Sequence, residues 1–351
     1  MRIVVNDIAA SKGGALTVLK DFYNCVKEND TENEWFFLLG DKLLEETANI
    51  KIITLPEIKK SRMKKLAFDF FTGKKFIKKL NPDVVFSLQN TVVFGVKVPQ
   101  IIYLHQSIPF QTIKKFSFFK SRERSLAVCQ HLIGRVIKRS VKYCDKVIVQ
   151  TKWMKDAVCK QCGLSEDKVI KVSPTVADIS SYNTSRPFDK NSFFYPTASA
   201  IYKNNDAIFK ACEILNERDI NCDVTLTLPE HYSKNNIRCV GRLPYGEVIE
   251  KYAESTLIFP SYIETFGFPM AEARKVGTVV LASDCPFSRE VLEDYENAYF
   301  FNPFDPKELA LLMERVINGD IKKRISSKPM DESFDSWLLI LKEVINFKYN
   351  D

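Results

Sequence analysis

No stretch of this 351-residue sequence approaches the roughly 20 consecutive apolar residues needed to cross a bilayer, so a membrane-spanning helix is not expected. The opening residues, MRIVVNDIAA, are too polar for a secretory leader and read as a first strand. No G-x-G-x-x-G follows that strand, which removes the dinucleotide-binding fingerprint. Nine cysteines without framework-like spacing fit a reducing compartment, and their odd number argues against a paired-disulfide scheme. Cys159 and Cys162 form the only C-x-x-C. With no second pair to complete a zinc site, they read as two unrelated thiols on a helix. The expected localisation is cytoplasmic.

What is present is ordinary globular composition, 45% hydrophobic and 27% charged, in a length that suits two domains. The net charge of +7 is unevenly spread. Lys59 to Lys79 holds nine Lys/Arg against one acid, Asp69, interleaved with Leu66, Phe68, Phe70, Phe71, Phe76 and Ile77; a second basic cluster runs from Lys114 to Arg124. Solvated helix faces are one reading. The other is a patch for an anionic membrane surface, with rings at the headgroup boundary and the protein peripheral on the inner face of the membrane. No nucleic-acid-binding motif accompanies the charge, and no nucleic-acid partner is expected.

Short β-branched and aromatic runs alternate with helical patterns. The strand candidates are RIVVN, EWFFLLG, IKIITLP, DVVFSLQ, QIIYLHQ, KVIVQT and KVIKVS, then FFYPT, DVTLTLP, IRCVGRL, TLIFPS, TVVLAS and AYFFN. Helices are expected near 16–27, 63–80, 122–142 and 152–160, and near 205–217, 245–253, 269–275 and 306–317. This alternation predicts an α/β chain of two Rossmann-like domains, 1–176 and 192–332, with a polar linker at 177–191 and a terminal helix within 333–351. No sequence repeat links the halves. Ligands of such sheets bind beyond the C-terminal ends of strands, so residues just after strands carry the functional reading.

Gly13 and Gly14 open a helix after the first strand and allow close backbone approach; a plain turn is the bland alternative. His105 ends the QIIYL strand, where a structural and a catalytic role are both open. Lys203 follows FFYPT and precedes a helix, a place where a cation and free amides suit phosphate. In SYIETFGFPMAEARK, Glu264 falls in a loop at a strand end, Gly267-Phe268-Pro269 turns into a helix, and Glu272 lies about one turn inside it. Carboxylates accept hydrogen bonds from sugar hydroxyls, and helix-start amides suit phosphate. A nucleotide-sugar needs both.

Glu264 to Glu272, E-T-F-G-F-P-M-A-E, has the form E-x7-E with the G-x-P corner inside it. This resembles the signature of the family-4 retaining glycosyltransferases, and the likeness extends along essentially the whole chain. It implies the GT-B fold: two facing Rossmann-like domains, a deep cleft between them and a C-terminal crossover helix packing toward the first domain. It implies that Glu264 faces the donor sugar, Glu272 holds the ribose, and Phe266, Gly267 and Phe268 set amides near the sugar and diphosphate. Lys203 would neutralise the diphosphate, and His105 would lie at the reacting centre. Gly13 and Gly14 would approach phosphate and acceptor, and Gly241, Arg242 and Leu243 would border the base. The family's Gly-Arg ahead of the lysine is absent; that region reads Pro196-Thr197-Ala198, where a hydroxyl does not replace a charge.

The resemblance further implies a retaining transfer from a nucleotide-sugar to a saccharide or lipid-linked saccharide, as in polysaccharide assembly. With no D-x-D anywhere in the chain, no metal and no other cofactor is expected. Two alternatives stand beside this: a relative acting on the nucleotide-sugar itself, such as an epimerase or phosphorylase, and a two-lobed ligand-binding protein.

Overall fold

The structure is a computed structural model that describes residues 1–11, 13–325 and 335–347. The backbone divides into two compact units, one built from Met1–Thr175 with the C-terminal segment, the other beginning at Val176.

Unit 1 carries β1 (Arg2–Asp7), β2 (Glu34–Leu39), β3 (Ile50–Thr54), β4 (Val84–Ser87), β5 (Gln100–Leu104), β6 (Lys146–Val149) and β7 (Val169–Lys171). They form one seven-stranded sheet in the order β3-β2-β1-β4-β5-β6-β7, and every pairing is parallel. The central strands are buried along their length, which is why they read as continuous apolar runs rather than alternating ones. The helix Gly14–Asn29 packs Phe22 against Trp35, Phe37 and Phe86 of this sheet. The helix Ser336–Ile345, capped by the Asp335 side chain, adds Trp337, Ile340, Leu341 and Val344 to the same core.

Two of the expected helices each contain a wider, π-type turn, at Phe68–Thr72 and Val128–Ile133. Each turn ends on a glycine whose amide bonds the carbonyl five residues back, Gly73 to Phe68 and Gly134 to Cys129. A Cβ at Gly73 would lie 2.6 Å from that Phe68 oxygen, so the turn needs glycine there. Such turns register only through hydrogen bonding, and apolar spacing alone reads them as ordinary helix.

Unit 2 carries β8 (Ser192–Tyr195), β9 (Asp223–Leu226), β10 (Ile237–Cys239), β11 (Thr256–Phe259), β12 (Val280–Ser283) and β13 (Ala298–Phe301). Its parallel sheet runs β10-β9-β8-β11-β12-β13. Both sheets therefore wind the same way, from the first strand outward to one side, then from the fourth outward to the other. The point of reversal lies between β1 and β4 in unit 1 and between β8 and β11 in unit 2. The stretch at 177–191 lies against unit 2, with Tyr182 edge-on to Tyr245 and Arg186 paired with Glu250 and Glu254.

The basic 59–79 segment does not present all its rings to solvent. Phe68 and Ile77 are buried in the core beside Val4 and Val85, and Phe70 stacks on Phe94 at 4.5 Å. Phe71 and Met63 remain exposed, as do Phe118 and Phe119 of the second basic cluster. No described helix is long and apolar enough to cross a membrane.

Candidate active site

The reversal point of unit 2 is where β8 and β11 pair side by side and their outgoing loops part. Lys203 ends the short turn Ile201–Lys203 after β8, and Glu264 lies in the loop after β11. Their side chains meet there, Nζ to Oε1 at 2.6 Å, only 20% and 17% exposed. Ser261 donates to the same Oε1 at 2.7 Å. Burial pushes the Lys203 ammonium toward neutrality, but Glu264, together with Tyr195 and Tyr202, outweighs it and the net shift is upward, so Lys203 stays charged. Sequence spacing treats the two as separate contacts to a ligand; the fold joins them into one ion pair.

The loops around this pair are cross-braced. Asn204 adopts a left-handed conformation, φ 57°. Its side chain does not cap the following helix but donates to the carbonyls of Pro260, at 3.2 Å, and Pro303, at 2.7 Å. It thereby ties together the loops leaving β8, β11 and β13. Tyr195, at the end of β8, lies buried beneath, its hydroxyl 3.4 Å from the Lys203 carbonyl. Asn204 is of a residue type common at helix caps, and nothing local in the sequence singles out Ser261; a polar residue beside each strand end is the one available signal.

Glu272 lies on the helix Phe268–Val276 and accepts from the Tyr252 hydroxyl at 3.1 Å. Burial raises its pKa, while hydrogen bonds from Tyr252 and Tyr245 oppose the rise. Gly267 caps this helix with φ 96°, and a Cβ there would approach Met270 Cε to 2.7 Å. Glycine is thus required for its backbone angle, whereas the Met270 methyl is the far end of a flexible side chain and can yield. Phe266 is buried edge-on to the half-exposed Phe268. The structure therefore sets Lys203, Glu264 and the Gly267 corner around the end of β11, with Glu272 one helical turn further on.

Thr197 is held from two sides: its amide donates to Thr227 Oγ1 at 2.6 Å, and its hydroxyl donates to Asn205 Oδ1 at 2.9 Å. Both of these partners are uncharged. Gly241, with φ 71°, follows β10, and Arg242 beside it is exposed. Leu243 continues that loop two strands away from the reversal point.

The remaining candidates belong to unit 1. Gly13 has φ 63°, and no atom lies within 4 Å of where a Cβ would stand on it or on Gly14. The two glycines thus open the helix Gly14–Asn29 with bare, exposed backbone. His105 follows β5, its amide bonded to Asn90 Oδ1 at 2.8 Å. Burial lowers its pKa to about 4, although the hydrogen bond to the Leu88 carbonyl pulls the other way. The imidazole is neutral at pH 7, with one nitrogen committed to Leu88 and the other an acceptor. Among the described residues, no group of three or more His, Cys, Asp or Glu side chains is placed to hold a metal ion.

Comparison with known proteins bears on both units. Residues 12–178 match the family model described as Glycosyltransferase Family 4, and residues 183–329 that of Glycosyl transferases group 1. The O-antigen chain mannosyltransferase RfbU of Salmonella typhimurium is 26% identical over 183 residues, 49% of this chain and 51% of that protein. This chain thus spans about half the length of that curated relative. Among solved structures, the lipopolysaccharide outer core galactosyltransferase WaaB, in its apo form, superposes with TM-score 0.63 at 16% identity, covering 92% of each chain. Anabaena Alr3699/HepE in complex with UDP-glucose gives 0.62 at 15% identity, over 98% of this chain and 95% of that one. The fold is that of the GT-B glycosyltransferases, and each unit matches a glycosyltransferase family model.

Proposed function

We propose that this chain, with a glycosyltransferase domain in each unit, moves a sugar from a nucleotide-sugar donor to a saccharide or lipid-linked saccharide during surface-polysaccharide assembly. The observation that carries this reading is the Lys203–Glu264 pair at the reversal point of unit 2. A diphosphate needs a fixed cation, and a sugar needs a fixed carboxylate; here each holds the other in place before a ligand arrives. That is preorganisation, with the charges oriented before the reaction requires them.

In this account Lys203 and the amides of the Gly267–Phe268 corner stabilise the leaving diphosphate. Glu264 accepts hydrogen bonds from donor-sugar hydroxyls through Oε2, since both its protein contacts fall on Oε1. Glu272 accepts from the ribose, its tyrosine partners fixing its orientation. The transfer is retaining: the acceptor hydroxyl attacks on the face the diphosphate leaves, and the departing phosphate oxygen takes the proton. Neutral His105 suits such a route, because it can accept a hydrogen bond from a sugar hydroxyl without adding charge. No step in this route calls for a metal ion.

The test is transfer itself. Incubation with UDP-, GDP- and dTDP-sugars and a saccharide panel should yield a product whose new linkage keeps the donor's anomeric configuration by NMR. An inverted linkage would remove the retaining mechanism, and nucleotide-sugar turnover without any acceptor product would remove transferase activity.

Part of this reading places unit 1 on an anionic membrane surface through the 59–79 and 114–124 clusters, supported by exposed Met63, Phe71 and Phe119 among lysines. Flotation with vesicles containing phosphatidylglycerol should recover the protein, and recovery should fall when Phe71 and Phe119 become Ser. Equal recovery on neutral vesicles would contradict it.

A further inference from the structure

Asp69 is the single acid of the basic 59–79 segment, and the fold removes it fully from solvent. It comes from the π-type turn Phe68–Thr72. Its Oδ2 accepts from the Thr91 hydroxyl at 3.0 Å and pairs with Lys65 at 3.3 Å, and Lys65 also reaches the Thr91 hydroxyl at 3.2 Å. Gln89 Nε2 stands 3.5 Å from Oδ1, with its own Oε1 unpaired. The Asp69 carbonyl accepts from the Phe94 amide at 2.7 Å. Apart from Lys65, all these partners belong to the loop that follows β4. A carboxylate taken out of water is costly, and a buried pair of this kind adds little net stability over apolar side chains. What it supplies here is a single conformation for that loop.

The loop in turn grips the residue after β5, the strand paired beside β4. The Ser87 hydroxyl closes it by donating to the Thr91 carbonyl at 2.6 Å. Between them, Asn90 takes a left-handed conformation, φ 65°, which asparagine tolerates better than most side chains but which persists only where the surroundings impose it. Its Oδ1 accepts from the His105 amide at 2.8 Å. Two residues earlier, the Leu88 carbonyl accepts from the His105 ring. Backbone and imidazole of His105 are therefore both held from residues 88–90. Asn204 is the counterpart in unit 2, also left-handed and also spending its side chain on neighbouring strand-end loops.

We infer that Asn90 and Asp69 are positioning residues for His105: Asn90 fixes the residue at the end of β5, and Asp69, acting through Thr91, fixes Asn90. This deepens the proposed function and rests on it, since His105 at the reacting centre is part of that reading. The bare nitrogen of the imidazole keeps one direction only while Leu88 holds the other nitrogen, and the Leu88 carbonyl stays in place only while the loop does. A ring released from the loop exchanges tautomers and meets a sugar hydroxyl with an N–H in part of its population. Were Asp69 merely a brace for the fold, its loss would lower Tm and leave the ring unchanged.

The chain has three histidines, so ring-15N labelling lets His105 be followed alone once His131→Gln and His231→Gln have identified the other two. Asn90→Gly keeps the left-handed backbone and deletes the acceptor. Thr91→Val keeps the shape and cuts the link to Asp69. In the wild type at pH 7, one His105 nitrogen should be protonated and the other bare. In both variants the two signals should move toward each other as tautomers mix, and Thr91→Ser should restore them. In the transfer assay, Asn90→Gly and Thr91→Val should each lose about tenfold or more in kcat with donor KM little changed. Unchanged His105 signals in both variants, whatever happens to Tm, overturn the inference. Full turnover with shifted signals overturns it too, because the direction of the ring then has no consequence. If the wild type transfers no sugar from any donor, the proposed function fails and the inference falls with it, a result distinct from the other two.

Discussion

The two sheets share one winding but treat their strand ends in opposite ways. In unit 2 the reversal point is closed by protein: Lys203 neutralises Glu264, Asn204 binds two carbonyls, and Thr197 is held from both sides. In unit 1 the same position leaves buried amide and carboxylate oxygens open, and only Asp69 is drawn into an ion pair. The difference is between charge and hydrogen bonding. A site for an anionic leaving group needs its charges fixed in advance, because an unpaired buried charge is very costly. Neutral amide oxygens can stay unpaired at a smaller penalty for each.

Four substitutions test that contrast, from the largest effect downward. Glu264→Gln keeps the shape of the unit 2 site but removes its negative charge, and turnover should fall roughly 10²–10³-fold with the protein still folded. Near-wild-type turnover in a steady-state assay would remove Glu264 from the chemistry.

Asp7 gives the converse case, a carboxyl that folding disfavours in its charged form. Burial raises its pKa from 3.8 to about 7, although Lys65 and Lys59 pull it down. Its folded pKa lies above the unfolded one, so the folded state binds the extra proton between these values. Stability is therefore lost as pH rises across the window from 3.8 to about 7. Asp7→Asn should remove that loss, making the variant more stable than wild type at pH 8 by on the order of a few kcal/mol, with little difference at pH 4. Urea unfolding at the two pH values checks this; a constant difference would show that Asp7 is not held in the raised state.

Lys203→Met leaves Glu264 without its partner. A loss of about 2–3 kcal/mol is expected, at the low end for a buried pair because both groups retain some exposure. The corresponding change in unit 1, Gln89→Met, should cost nothing measurable. Equal losses in both variants would erase the distinction between the two sheet edges.

The architecture was legible in the sequence because parallel strands buried on both faces are written as β-branched and aromatic runs. RIVVN, DVVFSLQ and TLIFPS announce β1, β4 and β11 without any long-range information. The shared winding was not legible, since apolar side chains substitute for one another in a core and leave no sequence repeat. At the site, the E-x7-E spacing put Glu264 and Glu272 at a strand end and in the next helix. It could not show that Lys203, 61 positions before Glu264, pairs with it. Nor could it show that Glu272 is oriented by Tyr252 and Tyr245, or that burial strips His105 of its charge. Ion pairing and burial depend on which loops meet, and no local pattern encodes that. The same blindness hid Asn90 and Thr91, ordinary residues whose meaning lies in what they hold once folded. It also overstated the aromatic face of the 59–79 segment, because Phe68 and Ile77 face the core.

The measurement that bears most directly on the central claim is titration calorimetry of UDP-, GDP- and dTDP-sugars against the wild type and Glu272→Ala. One nucleotide family should bind the wild type, and Glu272→Ala should weaken that binding about tenfold or more, which would locate the donor in unit 2 and name its base. Binding of equal strength to both proteins, or no binding of any nucleotide-sugar, would contradict the assignment of this site.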